Sequence, residues 1–564
     1  MKVYAILRMF AIRFAILALV LYLPCTLYAF PEQKLLNPDD WAYEAIAVLS
    51  REQGVIFFTD SRITAAQMMN YLNTIDASSL SQSGKVIYDL LIEHLNYSPL
   101  FNLQSDALTV SVDFILQPEI YYKTNNNNPW FFNDHKRGKF FQIPFGFSIG
   151  PWFAAEMELY LGEDEHAALL NDNYSNLPVN ASHIDIHTPK RAYLSAGLPL
   201  GEESGFHFAV GLGSNFFGQT QTGSVIVSEY LQRASFAKMS FYSPAFKYSA
   251  EITQYEVNKY MYLHYLQFKP HKRISISLTE GVMVNAPLEL RFLNPFSIFH
   301  SFESYKTYNE YNDELGVPRE YEDSSIYETT GCSRVGSILG LKIEWLPVKN
   351  LRLYGLFVMN QYQLPYEKEN WSEDLTPDAL GFQAGLNFSL PVKNGFWDFT
   401  LEGVYTYPYL YVLHNKKWSF YKEAHEVDNM TLRYWTGTPF GPDSIAGALK
   451  AGFHSNANWY TGFSFVFSAQ GERSTLDIFS EPDSFYRPSP KVFNVTVPPT
   501  GIPIYTYTAS LHGEYNLYKW LQFTIQPGYT VTVNANREND RIEHGFEVSL
   551  TIRFRPNPKL WSNS

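Results

Sequence analysis

Two short stretches of this 564-residue chain carry residue types capable of covalent or metal chemistry. Gly146-Phe147-Ser148-Ile149-Gly150 matches G-x-S-x-G, in which a sharp strand-to-helix turn exposes a nucleophilic serine. Here Phe141, Ile143, Phe145, Phe147 and Ile149 continue one period-two face, and Pro151-Trp152 follow where a helix would have to begin, so the spacing favours an uninterrupted strand. His183-Ile184-Asp185-Ile186-His187 would place two imidazoles and a carboxylate on one face of a strand, a donor set suited to zinc or copper. No further ligand lies close by, and the Asn-rich 171–180 stretch makes a polar strand end the plainer reading. H-E-x-x-H, Walker and EF-hand spacings are absent. The expectation is a chain without catalytic residues, cofactor or metal.

Other polar residues interrupt apolar patterns. Glu280 follows Ile274, Ile276 and Leu278 on the apolar phase and precedes Val282 and Val284, where a lipid-facing carboxylate would be costly. It is therefore expected at the membrane boundary, at a bulge near Gly281, or facing inward. Arg291 and Glu289 share the opposite phase and could pair across a lumen, and Asn294-Pro295 suits a bend. In the acidic loops, Tyr305 and Tyr308 lie within 303–328 and Trp371 within 367–378. Aromatic faces beside hydrogen-bonding groups suit sugar rings, although solvated loops share this composition. The candidate glycan-binding or lumenal set is Glu280, Arg291, Asn294, Tyr305, Tyr308 and Trp371.

The elements that must position these residues are of two kinds. Residues 1–29 place Lys2, Arg8 and Arg13 before the apolar run Phe14–Leu23 and end at Leu27-Tyr28-Ala29, the order of a secretory signal peptide. Its removal would delete Cys25 and leave Cys332 as the single cysteine. Residues 30–106 read as a three-helix module. Asp39 and Asp40 precede Ala42, Ala45, Ile46 and Leu49; Thr59 to Thr64 precede Ala65, Met68 and Leu72; Ser81 to Ser83 precede Ile87, Leu91 and Leu95. From 107 to 564 the period becomes two, as in Phe546, Val548, Leu550, Ile552 and Phe554 alternating with Glu547, Ser549, Thr551 and Arg553. A soluble sandwich alternates too. However, many runs here exceed ten residues, aromatics gather at run ends (Trp345, Trp397, Trp459, Tyr518, Trp520), and short turns alternate with long polar loops. With 17% aromatic residues, the reading is an all-β transmembrane antiparallel barrel of 16–20 strands, 18 as best estimate, bearing a small helical module. A net charge of −13 argues against nucleic acid, and an acidic glycan would need bridging cations.

Several blocks, in order, resemble the Wzi family of capsule-assembly outer-membrane proteins. Trp41–Gly54 and Ile63–Leu90 look like its helical module, and Gly211-Leu212-Gly213 through Ser228 like its glycine-rich block. Tyr262-Leu263-His264-Tyr265-Leu266 through Leu278-Thr279-Glu280-Gly281 is similar to its arginine–tyrosine to L-G-E stretch, and Leu293-Asn294-Pro295-Phe296 to its L-N-P signature. Leu353-Tyr354-Gly355 to Gln361, Tyr405-Thr406-Tyr407-Pro408-Tyr409 and Phe440-Gly441-Pro442-Asp443-Ser444 complete the series. The chain departs from that pattern at Lys259-Tyr260, where the family tends to have arginine, and at Asn360-Gln361, where it favours aspartate. The resemblance implies a barrel in the cell outer membrane, its helical module on the periplasmic side, with outer-membrane lipid and a surface polysaccharide as partners. A diffusion porin for small solutes and a surface adhesin are the alternatives.

Overall fold

The computed structural model describes residues 33–555 apart from 129–137, 164–173, 180–183, 186–188, 300–334, 371–376, 414–418, 426–430, 476–496 and some isolated positions. Among these residues, antiparallel strands close into a barrel of eighteen, with three helices near the N-terminus. The first barrel strand is broken. Leu108–Val112 pairs with Phe145 to Ile149, while Glu119–Lys123 pairs with Glu547 to Thr551 of the last strand, Ile542–Phe554, and so closes the ring. Phe101–Gln104 folds back on Leu108–Val112, so the sheet starts a few residues before the expected boundary.

The alternation is inverted relative to a water-soluble protein. In Ile542–Phe554, Leu550 and Ile552 are 47% and 43% exposed, whereas Glu547 and Ser549 are 6% and 5% exposed. A closed sheet with its apolar phase outside and its polar phase inside is built for a lipid solvent. Ala379–Val392 and Ile504–Tyr518, of 14 and 15 residues, are long enough to cross the apolar band at a barrel's tilt. No described helix is long and apolar enough to cross a membrane. One rim carries short turns, such as Lys349-Asn350 with Asn350 at φ 68°, and the other carries the long loops. Along the short-turn rim, outward rings meet in series: Trp397 and Phe453 at 5.0 Å, Phe453 and Trp459 at 5.2 Å, Tyr518 and Trp520 at 5.0 Å.

The helices form where caps and apolar spacing coincide. α1 (Trp41–Gln53) is capped by Asp40, which accepts from the Ala42 N–H, and ends at Gly54 in the left-handed region. α2 (Ala65–Asn73) is capped by Thr64 and α3 (Gln82–Leu95) by Ser81. Their apolar stripes close on one another and on Phe216 and Phe396 of the larger region, because so small a module cannot bury enough surface alone. The module sits at the short-turn rim. Arg51 reaches Asp398 at 2.6 Å, and Ser83 Oγ donates to the carbonyls of Val392 and Gly395.

The connection between α1 and α2 is extended, as the run Val55-Ile56-Phe57-Phe58 suggests. It runs up into the lumen, and its carbonyls are caught at every second residue. Lys269 donates to Ile56 O, Lys247 to Phe58 O, the Gly218 N–H to Asp60 O, and Lys238 to Arg62 O. This period-two pattern is a strand edge satisfied mainly by lysine side chains of the wall rather than by another strand. At its centre, the buried Asp60 carboxylate pairs with Lys342 and accepts from Gln267 and the Gln219 N–H, each at 3.2 Å.

Removing one partner of a buried pair strands the other charge, at about 3–5 kcal/mol. Asp60→Ala should therefore loosen the link by about 3 kcal/mol, since Lys342 keeps Glu344 at 2.9 Å. Hydrogen exchange should speed up at 55–64, and the Asp60→Ala/Lys342→Met double variant should regain most of the loss. Strictly additive losses would contradict the pairing.

Candidate functional site

The candidate site is the barrel interior and its long-loop mouth. Two loops from the long-loop rim fold inward. The first covers residues 214–231, where the chain turns through Gly218 and Gly223 at φ 89° and 90°, values that residues with a Cβ rarely adopt. Wall residues clamp it. The Glu402 carboxylate accepts from the Gln221 N–H at 2.8 Å and the Thr222 N–H at 2.9 Å, and also from the hydroxyls of Thr222 and Tyr354. The Gln383 amide accepts from Val225 N–H at 3.1 Å and donates to Gly223 O at 3.2 Å.

The second inward loop follows Gly395–Thr406. Tyr411, at φ 67°, donates its N–H to Asn360 Oδ1 at 2.8 Å and its hydroxyl to Val225 O, so one loop rests on the other. A hairpin, Tyr421–His425 with Thr431–Trp435, follows, and Lys259 Nζ lies 3.8 Å from the Tyr421 ring while donating to its carbonyl at 2.7 Å. The two places where the sequence departs from the Wzi pattern thus have work here, since Lys259 and Asn360 both hold this loop. Both loops share an apolar core with the wall: Phe217, Val225, Ile226, Leu410 and Phe420 against Met261, Leu263, Met283, Ile338 and Val358.

At the mouth, Asp443 of the Gly441-Pro442-Asp443-Ser444 turn is a latch. Its carboxylate accepts from Thr500 N–H at 2.9 Å, Thr500 Oγ1 at 2.5 Å and Arg473 N–H at 3.1 Å, and burial pushes its acid above the usual range despite those donors. Arg537 joins the two flanks that Asp443 holds, donating to Gly471 O at 2.7 Å and Ile502 O at 2.9 Å.

Of the residues singled out from the sequence, Glu280 lies on the outward phase of Ile274–Asn285, opposite His264 and Leu339, with no register shift at Gly281. It is therefore neither at a bulge there nor facing the lumen. The ring of Phe299 covers its neighbour His264, with centroids 4.1 Å apart. The turn Leu290–Leu293 packs Phe292 against Tyr262 at 5.0 Å; Tyr262 alternates with the lumenal Met261 and Leu263, so this turn lies on the outer wall. Asn294 is exposed beside it, and the Arg291 side chain is outside the described residues, as are Tyr305, Tyr308 and Trp371. His183 and His187 also fall outside them, and the Asp185 side chain is not described. Ser148 lies within the strand Phe141–Ile149, buried, and the chain turns through Gly150 into the next strand, Phe153–Glu163, without a helix. The residues that organise the interior, Asp60, Lys342, Gln383 and Glu402, were not singled out. Lys342, Gln383 and Glu402 sit on the polar phase of long strands, where charge or amide groups deep in a run are the available signal.

The architecture is that of an outer-membrane barrel. No family model matches the chain, and no curated protein sequence does. Among solved structures it is similar to Wzi of Escherichia coli, an outer-membrane protein involved in group 1 capsule assembly and a carbohydrate-binding β-barrel. The TM-score is 0.57 at 11% identity, over 92% of this chain and 99% of that one. More distant likenesses are to OprD of Pseudomonas aeruginosa, with TM-score 0.39 at 8% identity over 79% and 95% of the two chains, and to the channel DcaP of Acinetobacter baumannii, with TM-score 0.35 at 8% identity over 81% and 100%.

Asp443→Ala should free residues 471–475 and 497–503 while leaving the barrel folded. Limited proteolysis should cut there at least tenfold faster, with heat-modifiable gel migration unchanged. Equal protection in the variant would refute the latch.

Proposed function

We propose that this chain is a non-enzymatic outer-membrane barrel that helps attach or organise a surface polysaccharide, exported by its first 29 residues and oriented with the helical module toward the periplasm. The observation that carries this reading is the interior itself. A plug from one rim meets an infolded loop from the other at Asp60, and a second infolded loop shares a buried core with the first and the wall, an arrangement suited to holding something at the mouth rather than passing it freely. The fold likeness to a carbohydrate-binding barrel supplies the ligand class. At the mouth, Arg473 lies over the buried Tyr409 ring at 4.7 Å and so helps to hold the latched loops together.

Diffusion of small solutes is the second reading, favoured by a polar cavity of about 490 Å³ that the inward loops leave along one side of the lumen. Two measurements separate them. A deletion strain should shed polysaccharide that the parent keeps attached; equal attachment with and without the protein would overturn the leading reading. In planar bilayers the purified barrel should show no large, stable conductance, and such a conductance would favour the channel.

A further inference from the structure

The two sides of the lumen are filled differently. Toward the strands from Phe246–Glu256 to Gly395–Thr406, the wall sends long or apolar side chains inward and the infolded loops pack on them. Toward Ser444–Ser455, Trp459–Gln470, Ile504–Tyr518 and Leu521–Val533, the inward phase is mostly small or polar, with Ala446, Ala448 and Lys450 on the first strand and Ser464, Ser468, Thr506, Thr508 and Ser510 on the next two. There the cavity of about 490 Å³ lies between the wall and the loop residues Gln221, Thr222 and Tyr230. It extends from Phe440 and Gln470 at the long-loop end to Tyr460 and His512 near the short-turn end, so it is long and narrow.

Its hydrogen-bonding capacity is largely unspent. Ser464, Ser468, Thr506, Ser510 and Gln526 line it, and none of these side chains bonds to another described residue. Ser468 and Ser510 are only 5% and 4% exposed, so their free hydroxyls open onto the cavity and not onto bulk solvent. Buried polar groups in folded proteins normally find partners. The lining carries one formal charge, Lys450, and Glu44 of α1 stands 3.7 Å from it. The Tyr460 ring closes the far end, tilted by 44° to His454 at 4.4 Å and edge-on to His512 at 5.1 Å.

An anion would find no spare cation here, and an apolar molecule would strand the hydroxyls. A compact neutral polyol satisfies both conditions, and the volume is within the range of small-ligand pockets, about 300–1,000 Å³. We propose that this lumenal cavity is a binding subsite for a short neutral saccharide, with Ser464, Ser468, Thr506, Ser510 and Gln526 as hydrogen-bonding partners and Tyr460 as the ring at its end. The proposal rests on the polysaccharide reading above and adds to it a site inside the barrel, apart from the mouth.

The test uses the full-length protein in detergent and a panel of neutral disaccharides of differing linkage, with glucuronic acid for comparison, followed by calorimetry and saturation-transfer NMR. At least one disaccharide should bind saturably and at least tenfold more tightly than glucuronic acid. Ser468→Phe and Ser510→Phe, which fill the cavity, should each weaken it at least tenfold with heat-modifiable migration retained. Should the larger side chains prevent folding, Thr506→Val and Ser468→Ala remove single hydroxyls and should weaken binding about three- to tenfold each. No saturable binding by any neutral disaccharide, or equal binding by the folded variants, overturns the subsite. Attachment of the intact polysaccharide, measured separately on cells and on purified protein, reports on the function itself. Polymer bound without disaccharide binding would sink the subsite alone.

Discussion

A carboxylate cannot be buried in a barrel lumen unless something there carries its charge and its hydrogen bonds, and Asp60 is where this fold meets that requirement. Lys342 of the wall supplies the charge, and Gln267 of the wall and the Gln219 amide of an infolded loop supply donors. The link bearing Asp60 comes from the opposite rim to that loop. A single residue therefore fixes the plug against the wall, the loop against the plug, and the depth at which the two meet. Lys342 also holds Glu344, which holds Arg352 at 2.7 Å, so the arrangement reaches across neighbouring strands. Such a network is costly when half-made and specific when complete, which suits a device that sets register more than one that adds stability.

The unequal filling of the lumen follows from the same geometry. Once the link and the loops have been drawn toward Lys342, Gln383 and Glu402, that wall gains a dry apolar core, with Phe217 against Tyr265 at ring centroids 4.8 Å apart. The opposite wall, which those loops border without filling the space, keeps hydroxyl side chains such as Ser464, Ser468, Thr506 and Ser510 facing the cavity. One half of the barrel is thus packed like a soluble domain, while the other keeps the polar character of a transmembrane lumen.

Much of this could be read in advance, and the boundary between what could and could not is physical. Period-two alternation in residues such as Phe546 to Phe554 is local, and so are the caps Asp40, Thr64 and Ser81; strands and helices formed where those patterns lie. Direction was not local. Alternation states that two faces differ, and only closure decides that Leu550 faces lipid while Ser549 faces the lumen. Glu280 shows the limit: register puts it on the outward phase, on a wall where Phe292 and Phe299 pack over Tyr262, Val282 and Val284. Asp60, in a polar link between two helices, carried no periodic signal; its importance arises from Lys342 and Gln219, far away in sequence.

The plug and loops also constrain how the protein could open. Drawing the helical module out of the rim would rehydrate Arg51 and Asp398, which softens the electrostatic cost, but it would expose the apolar surface that α1 to α3 share with Phe216 and Phe396. Water offers nothing in exchange for that surface. The inward loops are tied as well, since Glu402 and Gln383 hold the backbone of the first and Tyr411 pins the second to it. The hydroxyl-lined side needs no such rupture. It is already polar, and its neighbouring loop residues Gln221 and Thr222 leave its wall hydroxyls free. A polar molecule held in this cavity would face Ser464, Thr506 and Ser510, and the packed side of the lumen could stay shut while it did.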